Sequence, residues 1–158
     1  MTEQDKKFMR RAIELAQKGS EANAGGPFGA VVVKDGEIIS EGWNQVTSTN
    51  DPTAHAEVVA IRAACEKLQS FQLDGCVLYT SCEPCPMCLG AIYWARPEKM
   101  FFACTRQDAA NVGFDDHFIY DEIILPVEQR HIKSLNFLRE EGLTVFENWE
   151  NKKNKTEY

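Results

Sequence analysis

The sequence predicts an α/β protein whose strands and helices pack as a layered sandwich. Three observations lead to this expectation: an opening segment with apolar residues at helical spacing, a strand pair around an Asp-Gly turn, and two later strands that each follow a helical segment. Strands that alternate with helices are typical of a sheet covered by helices. We therefore expect an α/β fold built around one sheet.

The size and composition of the chain are those of one globular domain. It has 158 residues, of which 44% are hydrophobic and 26% charged, a balance typical of a folded protein and not of a disordered one. We expect residues 1–158 to form a single domain. No apolar run approaches the roughly 20 residues of a membrane helix, and the N-terminus lacks a signal-type segment. We therefore expect a cytoplasmic protein with no membrane partner.

The charge balance disfavours polyanionic partners. The chain has 24 acidic and 17 basic residues and a formal net charge of -7. Such a protein is repelled by phosphate backbones and by anionic lipid. Lysines 152, 153 and 155 cluster near the C-terminus, and we interpret them as a solvated tail. We expect no nucleic-acid partner.

The first helix and the hairpin are clearly marked. Apolar residues at helical spacing predict a helix from about Thr2 to Lys18, with Gly19 as its stop and its apolar face on the sheet. Residues 29–34 and 37–43 are rich in β-branched side chains and flank Asp35-Gly36. An Asp-Gly pair between two such runs predicts a β-hairpin.

The central part of the chain predicts two helix-strand pairs. Asp51-Pro52 has the pattern of an N-cap followed by proline at the first helical position, and it predicts a helix to about Gln69. Residues 76–80 predict a strand, 85–95 a helix and 99–103 another strand. Shorter helices and loops are expected after these elements. They end in an amphipathic stretch around Val145, Phe146 and Trp149.

The cysteines favour a metal site over disulfides. Their positions are 65, 76, 82, 85, 88 and 104, and three of them lie in the segment SCEPCPMC. No export signal accompanies them, and the chain is long enough to form a core without staples. We expect Cys65, Cys76 and Cys104 to be small core residues. One alternative is a closed structural zinc site with Cys82 or Cys65 as a fourth ligand.

The segments around His55 and Cys85 supply the groups of a catalytic zinc site. Cys85 and Cys88 are three residues apart at a predicted helix start, so both sulfurs share one face, and the helix N-terminus favours thiolates. With His55 they make a three-ligand set that leaves a fourth position for water, whose pKa zinc lowers to about 7. Glu57 is the candidate proton carrier. The pattern predicts hydrolysis at an electron-poor carbon.

The motifs resemble those of a known enzyme family. HAE at 55–57 and PCPMC at 84–88 match the HxE and PCxxC signature of the zinc-dependent nucleobase deaminases. Four longer runs resemble bacterial guanine deaminases and cover most of residues 24–124: GGPFGAVVVKDGEII, DPTAHAEV, LYTSCEPCPMCLGAIYWARP and GFDDHFIYDEI. The resemblance implies a three-layer α-β-α sandwich of the cytidine deaminase type with a mixed central sheet. It also implies zinc-dependent hydrolysis of guanine to xanthine and ammonia in purine salvage or catabolism.

The resemblance implies roles for individual residues. One Zn²⁺ per subunit would be held by His55, Cys85 and Cys88, with Glu57 as the proton shuttle and no organic cofactor. The residues placed around a small-molecule purine substrate are Phe28, Asn44, Ala56, Trp94, Asp116 and Tyr158. Within this set Phe28 would stack on the purine, Asn44 would bond to its ring, and Asp116 would accept hydrogen bonds from its donors and so set specificity.

The resemblance also implies an assembly. Members of the family are homodimers that exchange C-terminal segments, which here would be residues about 130–158. Such an exchange would bring Trp94, Asp116 and Tyr158 to a shared site. The segment RHIKSLNFLREEGLTVF matches the family less well than the catalytic blocks do.

Several other interpretations fit parts of the sequence. The tRNA adenosine deaminases share DPTAHAE and PCxMCxGA, but the net charge of -7 opposes RNA binding. A cytosine or pterin-like deaminase cannot be distinguished by motif spacing, and a silent zinc-binding module would have no need of Glu57. Asp115 and Asp116 could instead form a turn or cap a helix starting near His117. Phe28 and Trp94 could be plain core or interface aromatics.

Overall fold

A four-stranded mixed sheet lies at the centre of the first part of the chain. Its order is β2-β1-β3-β4; β1 is antiparallel to β2 and to β3, and β3 is parallel to β4. The strands are β1 (Gly29–Lys34), β2 (Glu37–Trp43), β3 (Cys76–Cys82) and β4 (Lys99–Cys104). The computed structural model describes residues 1–158 and divides them into two units, Met1–Asp116 and His117–Tyr158.

Five helices belong to the unit that contains the sheet, and two belong to the other. The first five are α1 (Glu3–Glu21), α2 (Val46–Thr49), α3 (Ala56–Leu68), α4 (Pro86–Ala95) and α5 (Arg106–Asn111). The second unit has α6 (His117–Ile124), a 3-10 turn (Val127–Gln129) and α7 (Arg139–Glu150). No helix has the length and apolar character needed to span a bilayer.

Alternation along β1 divides the core into two layers. Val31 and Val33 face α1, where they pack with Phe8 and Leu15. The intervening side chains point the other way, and Val32 packs against α3 and α4. Helices therefore cover both faces of the sheet, and the predicted three-layer sandwich with a mixed sheet is confirmed.

The hairpin forms where the sequence predicts it. Asp35 and Gly36 both have positive φ, 51° and 78°, as a two-residue turn between right-twisted strands requires. The register shifts once, between Val32 and Val33, where β2 has one extra residue, Ile39, without a partner in β1. The carbonyl of Gly36 also accepts a hydrogen bond from Gln4 of α1 at 3.1 Å.

The prediction that Gly19 ends the first helix is wrong. Helix α1 continues to Glu21 and buries Gly19 within its last turns. A Cβ at this position would lie 2.7 Å from Cδ1 of Trp43 in β2. Glycine is present here because the helix and the strand approach closely, and not because the backbone turns.

The predicted start of the third helix at Asp51-Pro52 is also wrong. The side chain of Asp51 accepts a hydrogen bond from the backbone N of Thr53 at 2.8 Å and forms a local turn. The helix begins at Ala56, and the N-cap position is occupied by His55, whose side chain caps nothing. A local side-chain hydrogen bond therefore outcompetes the cap pattern and leaves the imidazole of His55 for other contacts.

The close approach of β2 and α3 predicts a large effect of one methyl group. A Cβ on Gly42 would lie against the carbonyl O of Ala56 and 2.7 Å from the N of Ala60. We expect Gly42→Ala to lower the free energy of unfolding by about 1 to 3 kcal/mol, because the helix must shift. Thermal unfolding measures this. Gly90→Ala in α4 is the matched control, since nothing lies within 4 Å of its Cβ; equal melting temperatures for both variants would contradict the packing described.

The second unit has little core of its own. Among residues 117–158 no side chain is buried. Its apolar side chains are strongly exposed; Leu135 is 90% accessible, Phe137 83% and Ile124 81%. Local hydrogen bonds stabilise its turns. For example, the backbone N of His131 donates a hydrogen bond to Oε2 of Glu122 at 2.8 Å. Exposed apolar surface on this scale is typical of a segment that makes contact elsewhere.

Candidate active site

A cavity of about 430 Å³ lies in the first unit, at the N-terminal ends of α3 and α4. Each helix contributes its first residues to the lining. The side chains that carry chemistry there are His55, Glu57, Cys85, Asn44, Asp116 and Phe28. Helix N-termini favour anionic groups, so this end of both helices suits thiolate and carboxylate side chains.

Three ligand atoms converge in this cavity. His55 Nδ1 lies 3.5 Å from Sγ of Cys85 and 3.5 Å from Sγ of Cys88. All three atoms lie within 4.8 Å of one another. His55 and Cys85 occupy the N-cap positions of α3 and α4, and Cys88 lies in the first turn of α4. The packing of two helix starts therefore builds the cluster.

The donor set fits zinc. Tetrahedral zinc with bonds of about 2.3 Å to sulfur and about 2.0 to 2.1 Å to nitrogen places sulfur and nitrogen about 3.5 Å apart. The distances from His55 Nδ1 to both sulfurs have this value. Two thiolates and one imidazole are also the ligand types that zinc prefers. Three protein ligands are the number found in catalytic zinc sites.

The electrostatics of the cluster favour a thiolate. Hydrogen bonds from the Cys88 thiol and from His55 lower the pKa of Cys85 to about 4. The hydrogen bond to Cys85 and burial raise the pKa of Cys88, so the two sulfurs share one proton. The hydrogen bond to Cys85 raises the pKa of His55. Metal binding displaces such protons, since zinc takes thiolates and neutral imidazole.

Glu57 lies beside the cluster and is buried. It is 6% exposed, and its Oε2 lies 3.5 Å from Sγ of Cys88. Burial raises the pKa of its carboxyl group above the ordinary value. A buried carboxyl group with a raised pKa beside three converging ligand atoms marks a candidate functional residue.

Asn44 has a fixed orientation. Its Oδ1 accepts a hydrogen bond from the backbone N of Val46 at 3.1 Å, which leaves the NH₂ group as the donor. The side chain is buried and lines the cavity. Gly25 makes room for it, since a Cβ on Gly25 would lie against Oδ1 of Asn44.

Asp116 lies at the end of the first unit and lines the cavity, as does Asp115. Burial raises the pKa of the Asp116 carboxyl group. Asp116 immediately precedes α6, which starts at His117. The carboxylate therefore lies within reach of a cavity occupant, and the chain around it also joins the two units.

The remaining predicted residues have different locations. Ala56 is fully buried between His55 and Glu57, at the start of α3. Trp94 lies on α4, is 62% exposed, and is not among the residues that line the cavity of this chain. Tyr158 is the last residue of the second unit and is exposed.

The cavity lining includes residues that were not predicted from the sequence, among them Glu83, Arg106 and Phe114. Glu83 follows β3, and its carboxylate accepts a hydrogen bond from the backbone N of Arg106 at 3.1 Å. Arg106 and Phe114 reach the cavity from α5 and the loop after it. Glu83 could have been suspected from its position beside Cys85. No local pattern marks Arg106, because its placement depends on which strand neighbours β3. Phe114 lies in the matching run GFDDHFIYDEI, which assigns it no role of its own.

The cysteines outside the cluster have separate environments. Cys82 is buried, and its thiol donates to the carbonyl of Thr105 at 3.4 Å, so it is not one of the three converging ligands. Cys76 is buried as predicted, and Cys65 is half-buried. The prediction that Cys104 is a core residue is wrong, because β4 is the edge strand and leaves it exposed.

Comparisons with known proteins agree with this geometry. The chain is 60% identical to guanine deaminase of Bacillus subtilis (strain 168) over 151 aligned residues. These residues make up 96% of this chain and 97% of that protein. An X-ray structure of guanine deaminase from Bacillus subtilis matches with a TM-score of 0.95 and 59% identity, over 97% of this chain and 98% of that one. A tRNA-specific adenosine deaminase of Haemophilus influenzae is 42% identical over 121 residues, 76% of this chain and 69% of that protein.

The family is shown by the part of the chain that carries the ligand cluster. Residues 2–104 match the family described as the cytidine and deoxycytidylate deaminase zinc-binding region. This range includes the sheet, both helix starts and all three converging ligands. The chain is a member of this zinc-binding deaminase family.

Proposed function

We propose that this protein is a zinc-dependent guanine deaminase that converts guanine and water to xanthine and ammonia. The observation that carries the proposal is the extent of the likeness to the Bacillus subtilis enzyme. It covers 96% of the chain and therefore continues beyond residue 104, where the general zinc-binding region ends. Residues that distinguish one base from another, such as Asp116, lie in that later part.

Zinc is held by His55, Cys85 and Cys88, one ion per subunit. When bound, it supplies a Lewis acid that lowers the pKa of water to about 7. The N-terminal ends of α3 and α4 hold the three ligand atoms in place and keep the site partly buried. No organic cofactor is needed for this hydrolysis.

Glu57 moves the protons. It accepts a proton from the water that adds to C2 of guanine and delivers it to N3. The second proton of that water follows the same route to the exocyclic amino group, so that ammonia leaves as the C2–N bond breaks. The buried position of Glu57 favours its protonated form between these transfers.

The cavity walls recognise the base. Phe28 stacks on the purine, and the NH₂ group of Asn44 donates to a ring acceptor. Asp116 accepts from the N1–H and amino donors of guanine, while Ala56 lies between the two catalytic side chains of α3. A buried polar match of this kind discriminates strongly among bases.

A panel of bases tests the substrate. We expect the zinc-loaded protein to release ammonia from guanine and to form xanthine. Turnover of adenine and cytosine should be much slower, because they lack the paired N1–H and 2-amino donors that Asp116 accepts from. Turnover of guanosine should also be much slower, because its ribose adds bulk at N9. Ammonia release and product chromatography measure this. Turnover of another base in preference to guanine would overturn the substrate while leaving the zinc chemistry in place, and turnover of tRNA alone would favour an adenosine deaminase.

The carboxylates of the cavity oppose nucleic acid as a partner. Glu83, Asp115 and Asp116 line it together with Glu57, against one guanidinium, that of Arg106. Phosphate groups are repelled by such a lining. This supports a small neutral purine as the substrate.

We also propose that the functional protein is a homodimer of a single deaminase domain, residues 1–158, whose C-terminal segments, about 130–158, are exchanged between subunits. The support is the second unit, which buries no side chain and exposes Leu135 and Phe137. Trp94 is exposed on α4 as well. A second copy of the chain would cover apolar surface that one chain leaves in water.

Deletion of the tail tests whether Tyr158 completes the site. We expect removal of residues 155–158 to lower turnover of guanine severely, because the ring of Tyr158 helps to close the pocket, while zinc content and thermal unfolding are retained. Steady-state kinetics and metal analysis check this. Unchanged turnover would exclude the tail from the site.

Mixed dimers test whether the exchange occurs in trans. A Glu57→Gln chain has an intact tail, and a chain lacking residues 155–158 has an intact Glu57. Coexpression of the two inactive chains is expected to restore activity, since one site of each mixed dimer then combines Glu57 with a tail from its partner. No recovery in a verified mixed dimer would contradict closure in trans.

A further inference from the structure

Two phenylalanine rings form one wall of the cavity. Phe28 lies just before β1, and Phe114 lies in the loop after α5. Their centroids are 5.0 Å apart and their planes meet at 87°, a perpendicular aromatic pair. Both side chains line the cavity. Perpendicular pairs are favoured by ring quadrupoles and fix the tilt of each ring.

The backbone makes room for this pair at Gly26. A Cβ on Gly26 would lie 2.9 Å from Cε2 of Phe28 and 3.0 Å from Cε1 and Cζ of Phe114. Real Cβ atoms do not approach aromatic carbons this closely without a shift of the neighbour. The two rings and the glycine are therefore fitted to one another.

The route of the chain also brings Phe114 to this place. Gly113 has φ +94°, a conformation that side chains rarely adopt, and it turns the chain out of α5. Phe114 follows directly and reaches Phe28, which is distant in sequence. Phe114 lines the cavity and meets Phe28 in a ring pair.

We propose that Phe114 is a positioning residue that holds the Phe28 ring at the tilt required to stack on the substrate base, and that Gly26 is present to permit this contact. The inference rests on the proposed function, since it takes a purine as the occupant. In a perpendicular pair Phe28 contributes either an edge or one face, so at least one of its faces stays available to a flat base. The pair thus provides a stacking surface whose orientation is set before the substrate arrives.

Substitution of Phe114 separates stacking from chemistry. We expect Phe114→Leu, which keeps an apolar side chain but removes the ring, to raise KM for guanine about 3- to 10-fold, in line with the strength of an aromatic pair. The value of kcat should change by less than about 2-fold. The lost stacking stabilises the bound substrate and the transition state equally, and the proton transfer by Glu57 is unaffected. Phe114→Tyr retains the ring and should restore KM. Phe71→Leu is the matched control, a half-exposed phenylalanine that does not line the cavity.

A second variant keeps both rings and disturbs their contact. Gly26→Ala places a methyl group against Phe28 and Phe114, and we expect it to raise KM in the same way while one zinc per chain is retained. Gly90→Ala in α4 is its control, since no atom lies within 4 Å of that Cβ and Gly90 lies outside the segment proposed to be exchanged. Gly26→Ala tests the positioning role of Phe114 even if Phe114→Leu does not fold.

The outcomes distinguish this inference from the proposed function. Turnover of guanine by the wild-type protein is the reference. If the wild type did not turn over guanine, both the proposed function and the positioning role of Phe114 would be wrong. Wild-type turnover with an unchanged KM in Phe114→Leu and Gly26→Ala would overturn the positioning role alone. A fall in kcat with unchanged KM would also overturn it, because that pattern belongs to disturbed chemistry and not to lost stacking.

Discussion

Glu57→Gln is expected to lower turnover of guanine by about 10²- to 10⁴-fold while one zinc per chain is retained. The amide fills the same buried space beside Cys88 but can neither accept the proton of the attacking water nor return it. The zinc ligands His55, Cys85 and Cys88 are untouched by the change. Ammonia release and metal analysis on the same preparation measure both quantities.

Glu83→Gln is the matched control for this variant. Glu83 is a second carboxylate that lines the same cavity, but its hydrogen bond goes to the backbone N of Arg106. We expect its loss to lower turnover by less than about 10-fold, because it carries no proton in the reaction. If Glu57→Gln kept near-wild-type turnover, or if both variants lost equal activity, the assignment of Glu57 as the proton carrier would be wrong.

Cys88→Ser is expected to reduce bound zinc from about one ion per chain to near zero and to abolish turnover. Cys88 is buried, and its sulfur is one of two that lie 3.5 Å from His55 Nδ1. A serine hydroxyl is a weak zinc ligand compared with a thiolate, so the remaining pair no longer holds the ion. Atomic absorption after gel filtration measures the zinc content.

Cys82→Ala provides the control and tests the closed structural site at the same time. Cys82 lines the cavity, but its thiol donates to the carbonyl of Thr105 and stays out of the ligand cluster. We expect this variant to bind zinc as the wild type does. Loss of zinc from Cys82→Ala would indicate a fourth protein ligand and therefore a structural site.

The fold could be predicted where local signals agree with one another. The Asp35-Gly36 turn and its flanking strands form as expected, because two residues with positive φ and two β-prone runs specify one hairpin. The signals at Asp51-Pro52 and Gly19 were misleading for two different reasons. A side-chain hydrogen bond to Thr53 makes the first a turn, and contact with Trp43 explains the second.

The metal ligands of the candidate site could be predicted from the sequence, whereas some of the other residues that line the cavity could not. His55, Cys85 and Cys88 stand out because their spacing and residue types have few other uses. The same residues explain a departure from the capping rule: His55 occupies the N-cap of α3 without capping it, since its ring faces the two sulfurs. Arg106 lines the cavity because β4, which precedes it, lies beside β3, and local sequence does not encode this strand order.

The C-terminal segment forms the predicted secondary structure without a core of its own. Its amphipathic stretch forms the helix Arg139–Glu150, but none of its apolar side chains is buried within the unit. Helix periodicity predicts which face is apolar and does not identify what covers it. The exchange between subunits and the role of Tyr158 therefore stay predictions, tested by the mixed dimers.

The most direct test of zinc-dependent guanine deamination at this site is a titration. Zinc-free protein is supplied with guanine and with increasing zinc, and the initial rate of ammonia release is measured against zinc bound per chain. We predict no turnover without zinc, a linear rise, and a plateau at about one zinc per chain, with xanthine and ammonia formed in equal amounts. Turnover by the zinc-free protein, or no ammonia from guanine at full zinc loading, would contradict the account.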